Sequence, residues 1–318
     1  MANFLKTLFT GKKASDEEEK SKNDKKNFEI LKFDGLRAMR IGKIEYALKC
    51  FSEAIAIKED FETFNYQANA LIQQGNLEEA RISISKMIEL DNETASTYLL
   101  MASVCFMQEV YEDMLTYAQK GIELDNENPN AYLLSAKAEK GLKNELNAIA
   151  QITKAIALKE DYTEAYLMRA QVLLDMQQYN EALKDVEIVL KHQPDEESAL
   201  LLRGKIHEAS GKTDVALEDY KQITEVNPFN EQGYQHLGQL LISTKKLDEA
   251  ILCFDEAIEI NPSFAKAYHE RGRVKLLKGD KEGATEDMKK AIELNPEVEA
   301  GINGEFNNFQ DLYANVPL

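Results

Sequence analysis

Apolar residues recur along most of the chain at helical spacing, in pairs of short runs separated by polar turns. Between Thr163 and Pro194 the first run is Ala165, Tyr166, Met168, Ala170, Val172 and Leu173, and the second is Tyr179, Ala182, Leu183, Val186 and Val189. Intervals of three and four place each run on one face of a helix. Asp175 to Gln178 is mostly polar and predicts a tight turn, so the segment reads as a helix hairpin. A lone hairpin cannot bury both of its apolar faces, and hairpins of this kind need neighbours to stack on.

The hairpin recurs. Pro194, Pro228, Pro262 and Pro296 stand 34 residues apart, a period that marks an internal repeat. Ala182, Ala216, Ala250 and Ala284 keep the same step, which continued backwards meets Ala148, Met114, Ala80 and Ala47. With that residue as the twentieth, eight repeats cover 28–60, 61–94, 95–128, 129–162, 163–196, 197–230, 231–264 and 265–298. The fourth position is aromatic in Phe64, Tyr98, Tyr132, Tyr166, Tyr234 and Tyr268, with Leu31 and Leu200 in the other two repeats. The eighth is always Gly or Ala, and the twenty-fourth is bulky in every repeat except the third, where it is Ala118.

This pattern resembles the tetratricopeptide repeat family, whose unit carries a large residue, Gly/Ala, Ala, a bulky residue and Pro in that order. The resemblance covers residues 28–298. It implies an all-α fold, a right-handed α-α superhelix of stacked helix-turn-helix hairpins. Two departures stand out: tryptophan is absent from the fourth position, and the closing proline is replaced by Glu59, Asn92, Asn126 and Glu160 in the first four repeats.

The resemblance also implies a non-enzymatic protein-binding scaffold or adaptor, whose first helices line a concave groove through positions two, five, nine, twelve and thirteen. The candidate partner-binding residues on those positions are Asn69, Leu99, Phe106, Leu133, Lys137, Leu167, Gln171, Leu201, Lys205 and Arg273. Position five is apolar in the middle repeats, and position nine brings in Lys137, Lys205 and Arg273. Such a line suits a protein or peptide segment with apolar anchors and some acidic character. The competing reading makes the position-five leucines core, packed against the next repeat. The carboxylate clamp of chaperone-binding relatives is incomplete, because Lys32 is present but Leu36 stands where its asparagine belongs. A structural or membrane-peripheral assembly subunit, or a regulatory subunit of an enzyme, is the alternative function.

Positions seven and twenty-three carry a second regularity in the last four repeats. Arg169 comes with Asp185, Arg203 with Asp219 and Arg271 with Asp287, whereas Leu237 comes with Cys253. Charge in both places or in neither predicts an Arg-Asp pair bridging the two helices of one repeat. Two solvated surface charges are the alternative.

Composition narrows the function further. The chain has 318 residues with 38 basic and 56 acidic side chains, a net charge of −18, which argues against general nucleic-acid binding. Cys50, Cys105 and Cys253 lie far apart, which encodes neither a disulfide framework nor a cysteine zinc site. No Walker loop, GxSxG elbow or GxGxxG fingerprint occurs, and His207-Glu208 and His269-Glu270 lack the second histidine of HExxH. His236 and His269 fall on adjacent first helices, but zinc usually needs at least three protein ligands. The reading is therefore no enzyme, no metal and no cofactor, in a cytoplasmic protein.

The two ends lie outside the repeats. In residues 1–27, Met1, Phe4, Leu5, Leu8 and Phe9 share a helical face ahead of Lys12 and Lys13, and 1–13 is an amphipathic segment with possible contact to an anionic membrane. Residues 14–26 lack an apolar period and are expected to be a charged, flexible linker. Residues 299–318 contain Ile302, Phe306, Phe309, Leu312 and Tyr313 and are expected to cap the array and end in a tail.

Overall fold

The computed structural model describes residues 2–296, with side chains from residue 19 onward. The expected C-terminal cap, 299–318, and the side chains of the amphipathic segment 1–13 lie outside the described residues. Among those described there are sixteen α-helices, two per repeat, and no strand. The chain divides into two compact units, Met1–Tyr162 and Thr163–Leu318, and the division falls on the boundary between the fourth and fifth repeats. A period of 34 by itself reads as one array; the contacts gather it into two groups of four repeats.

The first unit holds α1 (Ala2–Arg40), α2 (Ile44–Ile57), α3 (Phe61–Gln74), α4 (Leu77–Leu90), α5 (Ala95–Met107), α6 (Tyr111–Leu124), α7 (Pro129–Gly141) and α8 (Glu145–Leu158). The second holds α9 (Thr163–Asp175), α10 (Tyr179–His192), α11 (Glu197–Ala209), α12 (Thr213–Val226), α13 (Glu231–Ser243), α14 (Leu247–Ile260), α15 (Ala265–Leu277) and α16 (Lys281–Leu294). Within each unit every helix packs on the next in sequence, and first helices such as α5 and α7, or α13 and α15, also touch.

The turn inside each hairpin is the same in all eight repeats. Position fifteen has positive φ throughout: Gly42, Gly75, Gly211 and Gly279, but also Glu109, Lys143, Gln177 and Lys245, with φ of 58 to 61°. The next residue's N–H reaches back five residues, as from Asn76 to the Leu71 carbonyl (2.9 Å) and from Gln178 to the Leu173 carbonyl (2.8 Å). This closing bond ends the first helix and reverses the chain within three residues. An L residue in this left-handed region costs roughly 1 kcal/mol relative to glycine, so four of the turns are under strain.

Position eight sets how closely the two helices approach. A Cβ built on Gly35, Gly204 or Gly238 would overlap the ring of Phe51, Tyr220 or Phe254 respectively. Each of those rings sits at position twenty-four of its own repeat. The two positions therefore trade volume. Gly35, Gly204, Gly238 and Gly272 face Phe51, Tyr220, Phe254 and Met288, whereas Ala68, Ala102, Ala136 and Ala170 go with Ile84, Ala118, Ile152 and Val186. Close packing of this kind makes even one methylene count.

α1 departs from the expected layout. Residues 14–26, expected to be a flexible linker, are part of a 39-residue helix that runs into the first repeat. The segment has no proline and is rich in Glu and Lys, which are good helix formers, so a missing apolar period does not stop the helix.

Candidate functional site

In three of the four repeats of the second unit the two helices are tied by ions. Arg169 donates from Nε and Nη2 to the two carboxylate oxygens of Asp185, both at 2.7 Å. Arg271 forms the same fork on Asp287 at 2.9 and 2.6 Å, and its Nη1 also reaches Asp255 at 2.6 Å. Arg203 bonds Asp219 through Nε at 2.7 Å, while His207 Nδ1 lies 2.7 Å from the other Asp219 oxygen. The three aspartates are buried and the arginines are mostly so. Burial raises the Asp287 carboxyl pKa, but hydrogen bonds from Arg271 and Lys275 outweigh it and hold the group below the usual range. Each pair links the two helices of its own repeat, and positions five and nine lie on the other side of the first helix.

On that face, the first helices of the seventh and eighth repeats enclose an open cleft of ≈ 760 Å³. Gln235 and His269 from position five, Gln239 and Arg273 from position nine, and Lys266 from position two line it, with Leu294 and Asn295 at its edge. Glu270 is the fixed point of the wall, 3% exposed, accepting from Arg273 Nη1 at 2.7 Å. Burial alone raises its pKa; His269 and Arg273 reverse that, so the carboxylate stays charged. Arg273 is therefore pre-oriented, and the glutamines add amide groups that both donate and accept.

His236 and His269 do not converge on a metal. His236 stacks on Tyr220 at 5.2 Å, and burial followed by the charge of Lys205 holds its pKa below the ordinary value. His269 Nδ1 lies 3.6 Å from Glu270. Among the described residues no group of three His, Cys, Asp or Glu could hold a metal ion, and no helix is long and apolar enough to cross a membrane.

The remaining candidate residues separate into three groups. Leu167, Gln171, Leu201 and Lys205 are half-buried on the first helices of the second unit, with Gln171 donating to Asp175 at 2.8 Å. In the first unit Asn69 is exposed and bonds back to Asn65, and Phe106 is 41% exposed with the Lys137 ammonium 5.4 Å above its ring. Leu99 and Leu133 are corrections, since at 6% and 1% exposed they are core residues and offer no surface to a partner. Leu99 enters the core because a Cβ on Gly121 of α6 would occupy its place. Lys32 is likewise committed, bonded to Asp60 at 3.1 Å and Glu62 at 2.6 Å.

Lys266 is not among the candidate residues, although it stands at position two of its repeat, a groove position. Glu270 enters only as half of an incomplete HExxH; its spacing to Arg273, three apart on one helix, is the signal for its role here.

A family model described as the N-terminal tetratricopeptide repeats region of Psidin matches residues 172–270, and a tetratricopeptide repeat model matches residues 265–298. The search of curated proteins returned no match. Among solved structures, a tetratricopeptide repeat protein from Parabacteroides merdae ATCC 43184 aligns with TM-score 0.57 and 19% identity, covering 75% of this chain and 95% of that one. MamA aligns with TM-score 0.49 and 20% identity over 54% of this chain and 94% of its own. YrrB aligns with TM-score 0.43 and 23% identity over 59% and 97%. The first of these three shows the fold. Repeat period, hairpin geometry, and the paired positions eight and twenty-four agree with both matches: residues 172–298 belong to tetratricopeptide repeats, and the chain has the tetratricopeptide repeat fold.

Proposed function

We propose that this protein is a non-enzymatic scaffold that holds a segment of a partner protein against the first-helix faces of its repeats. The cleft between α13 and α15 carries the reading. Positions two, five and nine of two successive repeats present hydrogen-bonding groups there, with Arg273 held in place by a buried carboxylate. A partner segment with acidic side chains fits Arg273 and Lys266, and its backbone fits the amides of Gln235 and Gln239. Phe106 under Lys137 in the first unit, with Met107 54% exposed beside it in sequence, supplies an apolar contact of the kind that takes an anchor side chain. A scaffold whose ionic ties are already made loses little conformational freedom on binding. We place it in the cytoplasm, where its three free, buried cysteines stay reduced.

The test is affinity capture with the full chain, its Arg273→Glu variant and its Phe106→Ala variant, each checked for unchanged helical content by circular dichroism. Expected is a protein captured by the wild type and reduced about tenfold or more by Arg273→Glu. Equal capture by all three folded proteins rejects the first-helix faces as the binding surface.

A further inference from the structure

α1 differs from the other fifteen helices in length and in what it leaves exposed. Its 39 residues span about 58 Å at 1.5 Å per residue, while α2, its hairpin partner, has 14. Gly35 and Ala38 pack against the Phe51 cluster, yet every side chain from Glu19 to Asn27 is exposed. Lys22, Lys25, Lys26, Ile30, Phe33 and Arg37 line one open surface of the helix. Ile30 is 47% and Phe33 59% exposed, so two large apolar side chains lie in water with cations on both sides along the axis. Glu29 and Asp34 share this surface, and Asp34 lies 3.9 Å from Arg37.

Charge is segregated along the chain in the same sense. Residues 1–43 hold 11 Lys/Arg and 7 Asp/Glu, net +4, which leaves −22 for residues 44–318.

We propose that this face of α1 docks on an anionic lipid surface. The surface belongs to a single helix and has no second wall, so it offers a partner helix no groove to enter; a bilayer needs none. Ile30 and Phe33 enter the headgroup boundary, and Lys22, Lys25, Lys26 and Arg37 extend their stems to meet lipid phosphates and carboxylates. The acidic remainder of the chain does not prevent this. Lys22, Lys25 and Lys26 lie on Glu19 to Asn27, about 13 Å of helix that precedes the first buried residue, more than the ~8 Å over which charges act at physiological salt. Two apolar residues and a few cations give reversible, salt-sensitive binding and not insertion.

The experiment is vesicle co-sedimentation of the full chain, with light scattering of the protein alone alongside. Phosphatidylcholine vesicles are compared with the same vesicles containing about a third phosphatidylserine. The wild type is expected to bind the anionic vesicles about tenfold or more tightly than the neutral ones, and to release when salt rises from about 0.05 to 0.3 M. Lys22→Glu/Lys25→Glu/Lys26→Glu and Phe33→Ser are expected to lose that binding with melting temperature little changed, because the lysines are exposed and Phe33 is more exposed than buried. No preference for anionic vesicles, or binding that both variants retain, overturns the proposal. So does a dimer in the absence of lipid that Phe33→Ser abolishes, which assigns the face to a second copy of the chain.

Discussion

The two units solve one packing problem with different chemistry. At positions seven and twenty-three the first unit has Gln67 bonded to Ser83 at 3.0 Å, then Met101 with Tyr117, then Ser135, whose buried hydroxyl finds no partner. In the second unit the same positions hold the forked pairs Arg169-Asp185 and Arg271-Asp287, with Arg203-Asp219 and its histidine between them in sequence, and the apolar Leu237 with Cys253 in the seventh repeat. The first unit compensates with apolar volume, drawing Leu99, Met101, Val104 and Cys105 of α5 into one cluster with Phe64, Ile84 and Met114. The leucines at position five differ between the units. Leu99 and Leu133 are buried in the first unit, whereas Leu167 and Leu201 in the second stay half-exposed beside Gln171 and Lys205. In the third and fourth repeats leucine at position five is spent on the core, whereas in the fifth and sixth, which carry the Arg-Asp pairs, it stays at the surface.

The largest effect that tests this contrast is an acid at position five. Leu133→Asp puts an unpaired charge into a site 1% exposed and is expected to cost more than about 4 kcal/mol, opening the first unit. Leu201→Asp, at the same repeat position, is expected to cost about 1 kcal/mol. Hydrogen exchange resolved by segment reads both, and similar costs erase the distinction between the units.

Next is the ionic tie itself. Arg271→Ala strands a buried Asp287 and is expected to cost about 3 kcal/mol, confined to the second unit. Ser83→Ala, at the matching site of the first unit, should cost about 1 kcal/mol by thermal melting. The Arg271 tie should also weaken in acid. Because the Asp287 pKa is depressed by folding, its contribution is complete above its unfolded value of 3.8 and is lost as pH falls through the lower folded value. A second unit that outlasts the first below that pH contradicts the assignment.

The volume exchange between positions eight and twenty-four comes third. Gly238→Ala drives a methyl into the Phe254 ring and is expected to cost about 2 kcal/mol. Adding Phe254→Ile, which copies the Ala-Ile pairing of the second and fourth repeats, should recover part of that loss. Additive costs in the double variant mean the two positions do not share one space. Smallest is Gln177→Gly, which relieves a left-handed residue and should raise stability by about 1 kcal/mol; an unchanged or lower melting temperature denies that strain.

Much of this architecture was open to reading because helices and their breakers leave periodic traces. The 34-residue step, the small eighth position and the prolines after the second helices depend only on local backbone rules and on the need of each hairpin for a neighbour. The strained turns were harder to see. Glu109, Lys143, Gln177 and Lys245 do not look like left-handed residues, and only the glycines in the other four repeats at position fifteen betray the conformation. Residues 14–26 are helical and not a flexible linker because absence of an apolar face is not absence of helix: Glu and Lys support one by propensity alone.

Which residues face inward within each hairpin follows from periodicity alone, since the 3.6-residue period assigns faces and the 34-residue period assigns repeats. Periodicity does not determine which apolar side chains of the first helix become surface. Leucine stands at position five in the third to sixth repeats, and the period treats all four alike. Only tertiary packing separates them. Gly121 leaves Leu99 a hole to fill, and the position matching Gly121 is Ala155 in the fourth repeat but Val189 and Ile223 in the fifth and sixth. Burial depends on the volume offered by a residue more than twenty positions away, and no local pattern encodes that.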